Sequence, residues 1–390
     1  MNNIIIYTSG SFPYGGAAEN FVRLLALGLR ENEQSVSVKL FRGGSTNDND
    51  TGIKAESVLF RDRTTNEFFK VFELFLLNLL IPYFLWQDKR NNKANIILLY
   101  GIDYFYYVFP FMIWSKVFNI KLIRIVPDKY SKATIVPVWW KFPKYYFFNL
   151  QLSYFDRFMD GIVFLSTYLY NEYVKSGGKV DRAIIIPHFI DIDQFKESRE
   201  WNDQELVLAY SGSILRNNGI FDLLDAFSLL LEKKPYLKLM MLGNTMNLDE
   251  EDRKLYDTLI CNLGDRIFFN GSVPYQDVAK KLQKVSILIN PRREGEWADA
   301  GFPTKLGEYF ACEKIVVSTE VGDVSKYFTD GNELFISRPN DPISLAEKID
   351  FIIDHLEEYK IVGTNGLDWA NRNLHYKNSA RKLLCFLQNE

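Results

Sequence analysis

Histidine and cysteine are scarce in this chain, three of each among 390 residues. The cysteines, Cys261, Cys312 and Cys385, stand far apart, and no pair has metal-ligand spacing. They predict buried thiols in a reducing compartment rather than a disulfide framework. His188 and His375 are also widely separated, so no histidine-built metal centre is expected. A basic excess is lacking too: 46 Lys and Arg face 49 Asp and Glu, a net charge of -3. That balance argues against a nucleic-acid binder. The longest apolar run, Leu74 to Trp86, is interrupted by Asn78 and Pro82. It falls short of the roughly 20 residues that cross a bilayer. The opening MNNIIIYTSG has neither a signal-peptide apolar core nor a cleavage site. The expectation is a cytoplasmic protein that touches the inner face of the cell membrane peripherally, if it touches it at all.

What remains is ordinary for a globular protein, with 47% apolar and 24% charged residues. One core rarely grows past about 250–300 residues, so the length predicts two domains. In the second half short apolar runs alternate with helical patterns: LVLAYSG, LKLMMLG, RIFFNGSV, VSILIN, KIVVST and ELFISRP. Continuous apolar strands separated by helices predict a parallel sheet buried on both faces. The first half repeats the rhythm with NIIIYTSG, VSVKLF, NIILLYG, KLIRIVP, GIVFLS and AIIIPHF, and RGGSTNDNDT reads as a polar loop. Residues 190–205 are charged and aperiodic and read as the linker. The predicted architecture is α/β, with two Rossmann-like doubly wound domains facing a cleft. They span residues 1–190 and 206–375, and a last helix, 376–390, is placed to cross back to the first. Ligands of such sheets bind beyond the carboxyl ends of the strands.

Three segments fall at such strand ends. In GFPTKLGEYFAC, Pro303 suits a helix start, and the free amides of Thr304, Lys305 and Leu306 with the helix dipole suit an anion. Lys305 adds a full charge. Glu308, one turn on, can accept two hydroxyl hydrogen bonds. The same spacing equally describes a Lys–Glu pair on a helix surface. In YSGSILRNNGIFDLLDAF, Arg216 sits in a polar loop between strand and helix; a solvated turn reads the same way. Near the N-terminus Gly15 and Gly16 open a helix, without a dinucleotide fingerprint or P-loop. Asp128 follows the strand KLIRIVP and reads either as a group facing the cleft or as a helix cap. His188 reads as a core or loop residue.

In this order the segments resemble retaining glycosyltransferase family 4, a group 1 family of GT-B fold. The likeness runs through the Gly-Gly loop, IIIPHFIDIDQF, YSGSILRNNGIFDLLDAF, MLGN, FNGSV and NPRREGEWADAGFPTKLGEYFACEKIVVSTEVGD. It implies transfer of a sugar from a nucleotide-diphosphate donor to a glycan or lipid-linked acceptor, in surface polysaccharide biosynthesis. No cofactor and no metal is implied beyond the donor substrate. Glu308 matches the glutamate that holds the donor ribose, and Lys305 a phosphate-binding lysine. Arg216 lies in the loop that carries basic residues for the diphosphate. Ser272 and Val273 would border the base, and Gly16 would let the first loop reach the phosphates. Pro303, Thr304, Gly15 and Ser213 complete the expected donor site. Lys305, Arg216 and Asp128 are the expected catalytic groups. Two positions depart from the family: Ala300 replaces the first of its two glutamates, and the basic pair falls on Ser213 and Asn218. Glu294, Glu296 and Asp299 are the carboxylates near enough in sequence to stand in for the first glutamate. A nucleotide-sugar 2-epimerase and an inactive nucleotide-sugar-binding subunit share the architecture and stay open as alternatives.

Aromatics make up 15% of the chain. Between Lys129 and Phe148 they surround four lysines, Lys129, Lys132, Lys141 and Lys144, with no acidic residue. That mixture suits an anionic membrane surface, and an aromatic core with solvated lysines would look alike.

Overall fold

A computed structural model describes residues 2–13, 16–42, 46–48, 51–60, 67–102, 105–129, 142–199, 205–246, 248–282 and 284–388. The chain forms two units, Met1–Phe189 with Tyr376–Glu390, and Ile190–His375.

In the first unit the order is β1 (Asn3–Thr8), α1 (Ala17–Glu31), β2 (Ser35–Arg42), β3 (Thr46–Asp48), β4 (Ile53–Phe60), α2 (Glu67–Asn91), β5 (Ile96–Tyr100), α3 (Phe105–Val117), β6 (Lys121–Val126), α4 (Phe142–Leu150), β7 (Gly161–Phe164), α5 (Thr167–Lys175) and β8 (Ala183–Ile185). Strands lie in the order β3-β4-β2-β1-β5-β6-β7-β8; all run parallel except the short edge strand β3. Helices cover both faces because the central strands are apolar on both. Ile4, Ile6, Leu98 and Ile123 pack with Phe21 and Leu24 of α1 and with Leu383 of the last helix. Tyr7 points to the opposite face, where its hydroxyl donates to Asp88 of α2 (2.5 Å) and its ring meets Phe111 of α3 edge-on.

The last helix, Tyr376–Gln388, belongs to this first unit. It lies so close to α1 that a β-carbon on Gly28 would overlap the Tyr376 carbonyl. Tyr376 donates to Glu31 (3.0 Å), Lys377 pairs with the same carboxylate (2.6 Å), and the Ser379 hydroxyl donates to the His188 carbonyl (3.1 Å).

Several expectations are corrected here. RGGSTNDNDT holds strand β3, which pairs with a β4 that the apolar-run criterion passes over. Lys129 is buried beside Tyr168 (3.5 Å) and Glu172 (3.8 Å). Phe148 is buried under the guanidinium of Arg124, itself paired with Asp156. Both therefore belong to the interior and not to a docking surface. Lys132, Trp139, Trp140, Lys141 and the side chain of Lys144 lie outside the described residues.

His188 is a core histidine. It packs against Phe21, its Nδ1 has no hydrogen-bond partner, and burial pulls its pKa down to about 4. The unfolded chain then binds the extra proton between about pH 6.5 and 4, so stability falls as pH drops through that window, by about 3 kcal/mol in all. Melting curves of wild type and His188→Leu should lie closest at pH 7 and separate toward pH 4, with wild type falling below the variant. A pH-independent difference would exclude this histidine as the cause.

The second unit runs β9 (Val207–Ser211), α6 (Ile220–Lys233), β10 (Lys238–Leu242), α7 (Glu250–Leu263), β11 (Ile267–Phe269), α8 (Tyr275–Leu282), β12 (Ile287–Asn290), α9 (Glu296–Ala300), α10 (Thr304–Ala311), β13 (Ile315–Thr319), α11 (Val324–Tyr327), β14 (Phe335–Ser337), α12 (Pro342–Asp354) and α13 (Leu356–Asn373). Its six parallel strands are ordered β11-β10-β9-β12-β13-β14. Strand order reverses between β9 and β12, the place where open α/β sheets take ligands. The stretch read as a linker is largely part of this unit: Ile190, Ile192 and Phe195 are buried in a core with Leu306 and Phe310 of α10. The apolar residues of IDIDQF outweigh its charges. Residues 200–204 of that stretch lie outside the described residues.

Candidate functional site

The loops at the reversal are knitted together by backbone. After β9, the Gly212 amide donates to the Leu242 carbonyl (2.7 Å) and Ile214 to the Asn244 carbonyl (3.0 Å). After β10, Gly243 donates to the Gly271 carbonyl that follows β11 (2.8 Å). Gly212 holds φ 145° and Gly219 φ 75°, both in the range that favours glycine. A β-carbon on Gly219 would overlap the Pro291 carbonyl, so the β9 and β12 loops touch backbone to backbone. On Gly212 it would overlap the tail of Lys305.

That tail is the centre of the site. Lys305 is the second residue of α10, and its ammonium donates to the Tyr210 hydroxyl (2.6 Å) while lying 4.2 Å from the same ring's centroid. The Tyr210 hydroxyl in turn donates to the Ser213 carbonyl (2.8 Å), which also accepts from Asn218 (2.7 Å). Tyr309, from the same helix as Lys305, accepts from the Ser211 amide (2.8 Å) and fixes α10 to the end of β9. Pro303 caps α10 from outside its first turn, and the Leu306 amide turns back to the Pro303 carbonyl (2.9 Å). Leu306 is thereby withdrawn from the expected anion site, leaving the amides of Thr304 and Lys305.

Burial and then the neighbouring Arg292 hold Lys305 down at about 7, with Glu308 opposing them. Burial raises Glu308 to about 7, and Lys305 opposes it. Among the described residues neither group forms an ion pair and the Glu308 carboxylate accepts no hydrogen bond. An exposed Lys–Glu surface pair is thereby excluded. Two ionisable groups desolvated without a direct ion pair are costly to a fold, and such groups cluster where a ligand supplies what is missing.

Arg292, which the sequence reading passes over, lies two residues beyond the end of β12. Its guanidinium is buried, donates to the carbonyls of Trp297 (3.0 Å) and Gly301 (3.3 Å), and stacks 4.0 Å from the Trp297 ring centroid. The available signal was positional: a basic pair, Arg292 and Arg293, sits immediately beyond the strand where the order reverses. Arg293 turns away to Asp222 (3.3 Å) and Asn340 (2.8 Å).

Arg216 does lie in the loop after β9, but Asp252 of α7 holds it, through Nε at 2.8 Å and through Nη2, and the guanidinium stacks on Phe221. It does not join Lys305. Ser272 is exposed and Val273 half-buried just past Gly271. Ala300 is fully buried; of the carboxylates near it, Asp299 accepts from the Gly322 amide (3.1 Å) and Glu294 from Asn340 (2.7 Å). Glu296 opens α9. In the first unit Asp128 is exposed at the carboxyl end of β6 and accepts from the Lys129 amide (2.6 Å). The Gly16 amide is taken by Glu19 of the same helix (2.8 Å), which closes it to an outside anion. Gly15 lies outside the described residues.

Chemically, the second unit offers two cations and two helix-start amides at the sheet reversal, with an unsatisfied carboxylate one helical turn away. That arrangement suits a diphosphate followed by a vicinal diol.

Residues 191–369 match the family model for glycosyl transferases group 1. The chain is 25% identical over 234 residues to the uncharacterized glycosyltransferase MJ1178 of Methanocaldococcus jannaschii, covering 58% of each chain. It is 25% identical over 172 residues to the capsular polysaccharide biosynthesis glycosyltransferase CapM of Staphylococcus aureus, covering 42% of this chain and 41% of CapM. The chain therefore spans less than two thirds of the length of the curated relatives it matches, 58% of MJ1178 and 41% of CapM. Its fold follows that of Anabaena Alr3699/HepE, solved in complex with UDP, over 100% of both chains at a TM-score of 0.74 and 16% identity.

Proposed function

We propose, from the group 1 glycosyl transferase domain at residues 191–369, that the chain is a retaining glycosyltransferase of family 4. It moves a sugar from a nucleotide-diphosphate donor to a glycan or lipid-linked acceptor in the cytoplasm, in surface polysaccharide synthesis. The observation that carries this reading is the Lys305–Glu308 pair, both desolvated and neither ion-paired, on a helix start at the strand reversal. The likeness to CapM supports the polysaccharide role, and that to HepE with UDP supports a uridine nucleotide as the first donor to try.

In this reading the bond between the sugar's anomeric carbon and the β-phosphate oxygen breaks, the acceptor oxygen bonds to that carbon, and the acceptor proton leaves with the nucleotide diphosphate. Negative charge grows on the departing phosphate, where Lys305, Arg292 and the amides of Thr304 and Lys305 stand ready, a preorganised electrostatic site. The two side chains take the part a divalent cation plays elsewhere, so turnover is expected to survive EDTA. Glu308 accepts the ribose hydroxyls, Ser272 and Val273 border the base, and Ser213 lines the phosphate side. Asp128 orients the acceptor hydroxyl. A role for Arg216 at the phosphates requires its pair with Asp252 to open.

Titration calorimetry with UDP, GDP and ADP tests the donor site. One of them should bind at pH 7, and Glu308→Gln should weaken it roughly tenfold, since an amide accepts on one side only. No binding by any of the three, or unchanged affinity in Glu308→Gln, would overturn the assignment of this site.

A further inference from the structure

The first unit carries an apolar surface that the donor site does not use. α2, α3 and α4 lie side by side on the sheet face that Tyr7 occupies. Each turns an apolar stripe outward at helical spacing. On α2 it is Leu79, Tyr83 and Trp86, with the two rings stacked at 6.3 Å; on α3 it is Ile113 and Val117. On α4 and its continuation through Gln151–Phe155 it is Leu150 and Tyr154. Leu79, Val117 and Tyr154 are 59%, 61% and 62% exposed. Phe109 of α3 meets Phe155 edge-on at 6.0 Å, so the α3 and α4 stripes meet, and α2 packs directly against α3. Apolar residues scattered singly need no explanation, but a contiguous patch marks a contact.

The charges around it have one sign. Arg90 stacks on Trp86 (5.1 Å), Arg157 on Tyr154 (5.4 Å), Lys116 is exposed beside Val117, and Lys89 reaches the Asn119 carbonyl (3.0 Å). Within residues 78–91, 107–118 and 145–158 the acids are Asp88 and Asp156, both buried. Asp88 is bound to Tyr7 and Lys39, and Asp156 to Arg124 and Gln151. Among the described residues these stretches expose cations and apolar side chains and no carboxylate.

We infer that this three-helix face docks the protein on an anionic lipid bilayer, with the aromatic and aliphatic stripes in the interface and the lysines and arginines at the headgroups. Aromatics with basic neighbours on one helical face favour that boundary. A second copy is a poorer occupant, because a two-fold contact sets each patch against itself and brings like-charged rims together. The surface overlaps the Lys129–Phe148 stretch that the sequence suggests only in α4; of that stretch Lys129 and Phe148 are interior.

Flotation with vesicles of phosphatidylcholine alone, and with phosphatidylglycerol added, decides it, and neither donor nor acceptor is needed. The protein should bind the anionic vesicles, less so in high salt. Arg90→Glu/Lys116→Glu and Ile113→Ser/Val117→Ser should each cut binding by at least about tenfold with unchanged melting temperature. Brominated lipid should quench wild-type fluorescence more than that of Trp86→Phe. Equal binding by wild type and both double variants, no binding to anionic vesicles, or a dimer that the Ile113→Ser/Val117→Ser change dissociates would each overturn the inference. Sugar transfer to a soluble acceptor is measured separately, so the loss of one reading leaves the other standing.

Discussion

A Lys305→Met variant should melt higher than the wild-type protein at pH 7 and transfer sugar about a hundredfold to a thousandfold more slowly. Both effects come from one fact, that Lys305 is half-buried, its ammonium desolvated against Tyr210 with Arg292 nearby and no ion pair among the described residues. In the empty site it is a desolvated charge that Glu308 offsets only in part, which weakens the fold; methionine keeps the length, suits the Tyr210 ring and removes the cost. With donor bound, the diphosphate is the counter-charge, and its growing charge in the transition state makes the ammonium most valuable then. The pH dependence follows from the sign of the shift. Burial takes Lys305 from 10.5 to about 7, so between these values the unfolded chain binds the extra proton and wild-type stability gains as pH rises. The advantage of Lys305→Met should be greatest at pH 7 and below and fade toward pH 10. A melting difference that does not shrink with pH, or turnover within a few-fold of wild type, would place the phosphates elsewhere.

The second unit was largely legible in the sequence because its strands are continuous apolar runs, the signal that a sheet covered on both faces leaves. β4 escaped because it is built differently. Ile53 and Ala55 are buried while Lys54 and Glu56 are exposed, an alternation suited to a strand near the sheet edge. Residues 190–205 look like a linker by charge, yet Ile190, Ile192 and Phe195 are buried, because a short segment can bury a few apolar side chains without any period. At the site, Lys305 and Glu308 were visible as a motif, but spacing alone left them indistinguishable from a surface pair; burial separates the two cases. Arg216 and Arg292 show the opposite limit. Sequence places each after a strand of the reversal, yet only tertiary structure sends Arg216 to Asp252 and Arg292 beneath the loop that leads into α10.

Gly212→Ala should lower transfer about a hundredfold although every charged group of the site remains. Gly212 combines two requirements. Its φ of 145° lies where other residues are strained, at a cost of about 1–3 kcal/mol. Its missing β-carbon is also the space through which the Lys305 tail reaches Tyr210. An alanine methyl would overlap the end of a flexible side chain and not backbone, so the protein should still fold and Lys305 should swing out. The ammonium then regains water and its pKa rises, while the 2.6 Å bond to Tyr210 is lost. A double-mutant cycle separates this from simple destabilisation, because two changes acting through one group are not additive. In a Lys305→Met background there is no ammonium left to displace, so adding Gly212→Ala should lower the rate only slightly further, whereas independent effects would multiply to about ten-thousandfold or more. Multiplication of the two losses would mean that Gly212 serves the reaction through its own backbone, by approach to the donor, and not by making room for Lys305.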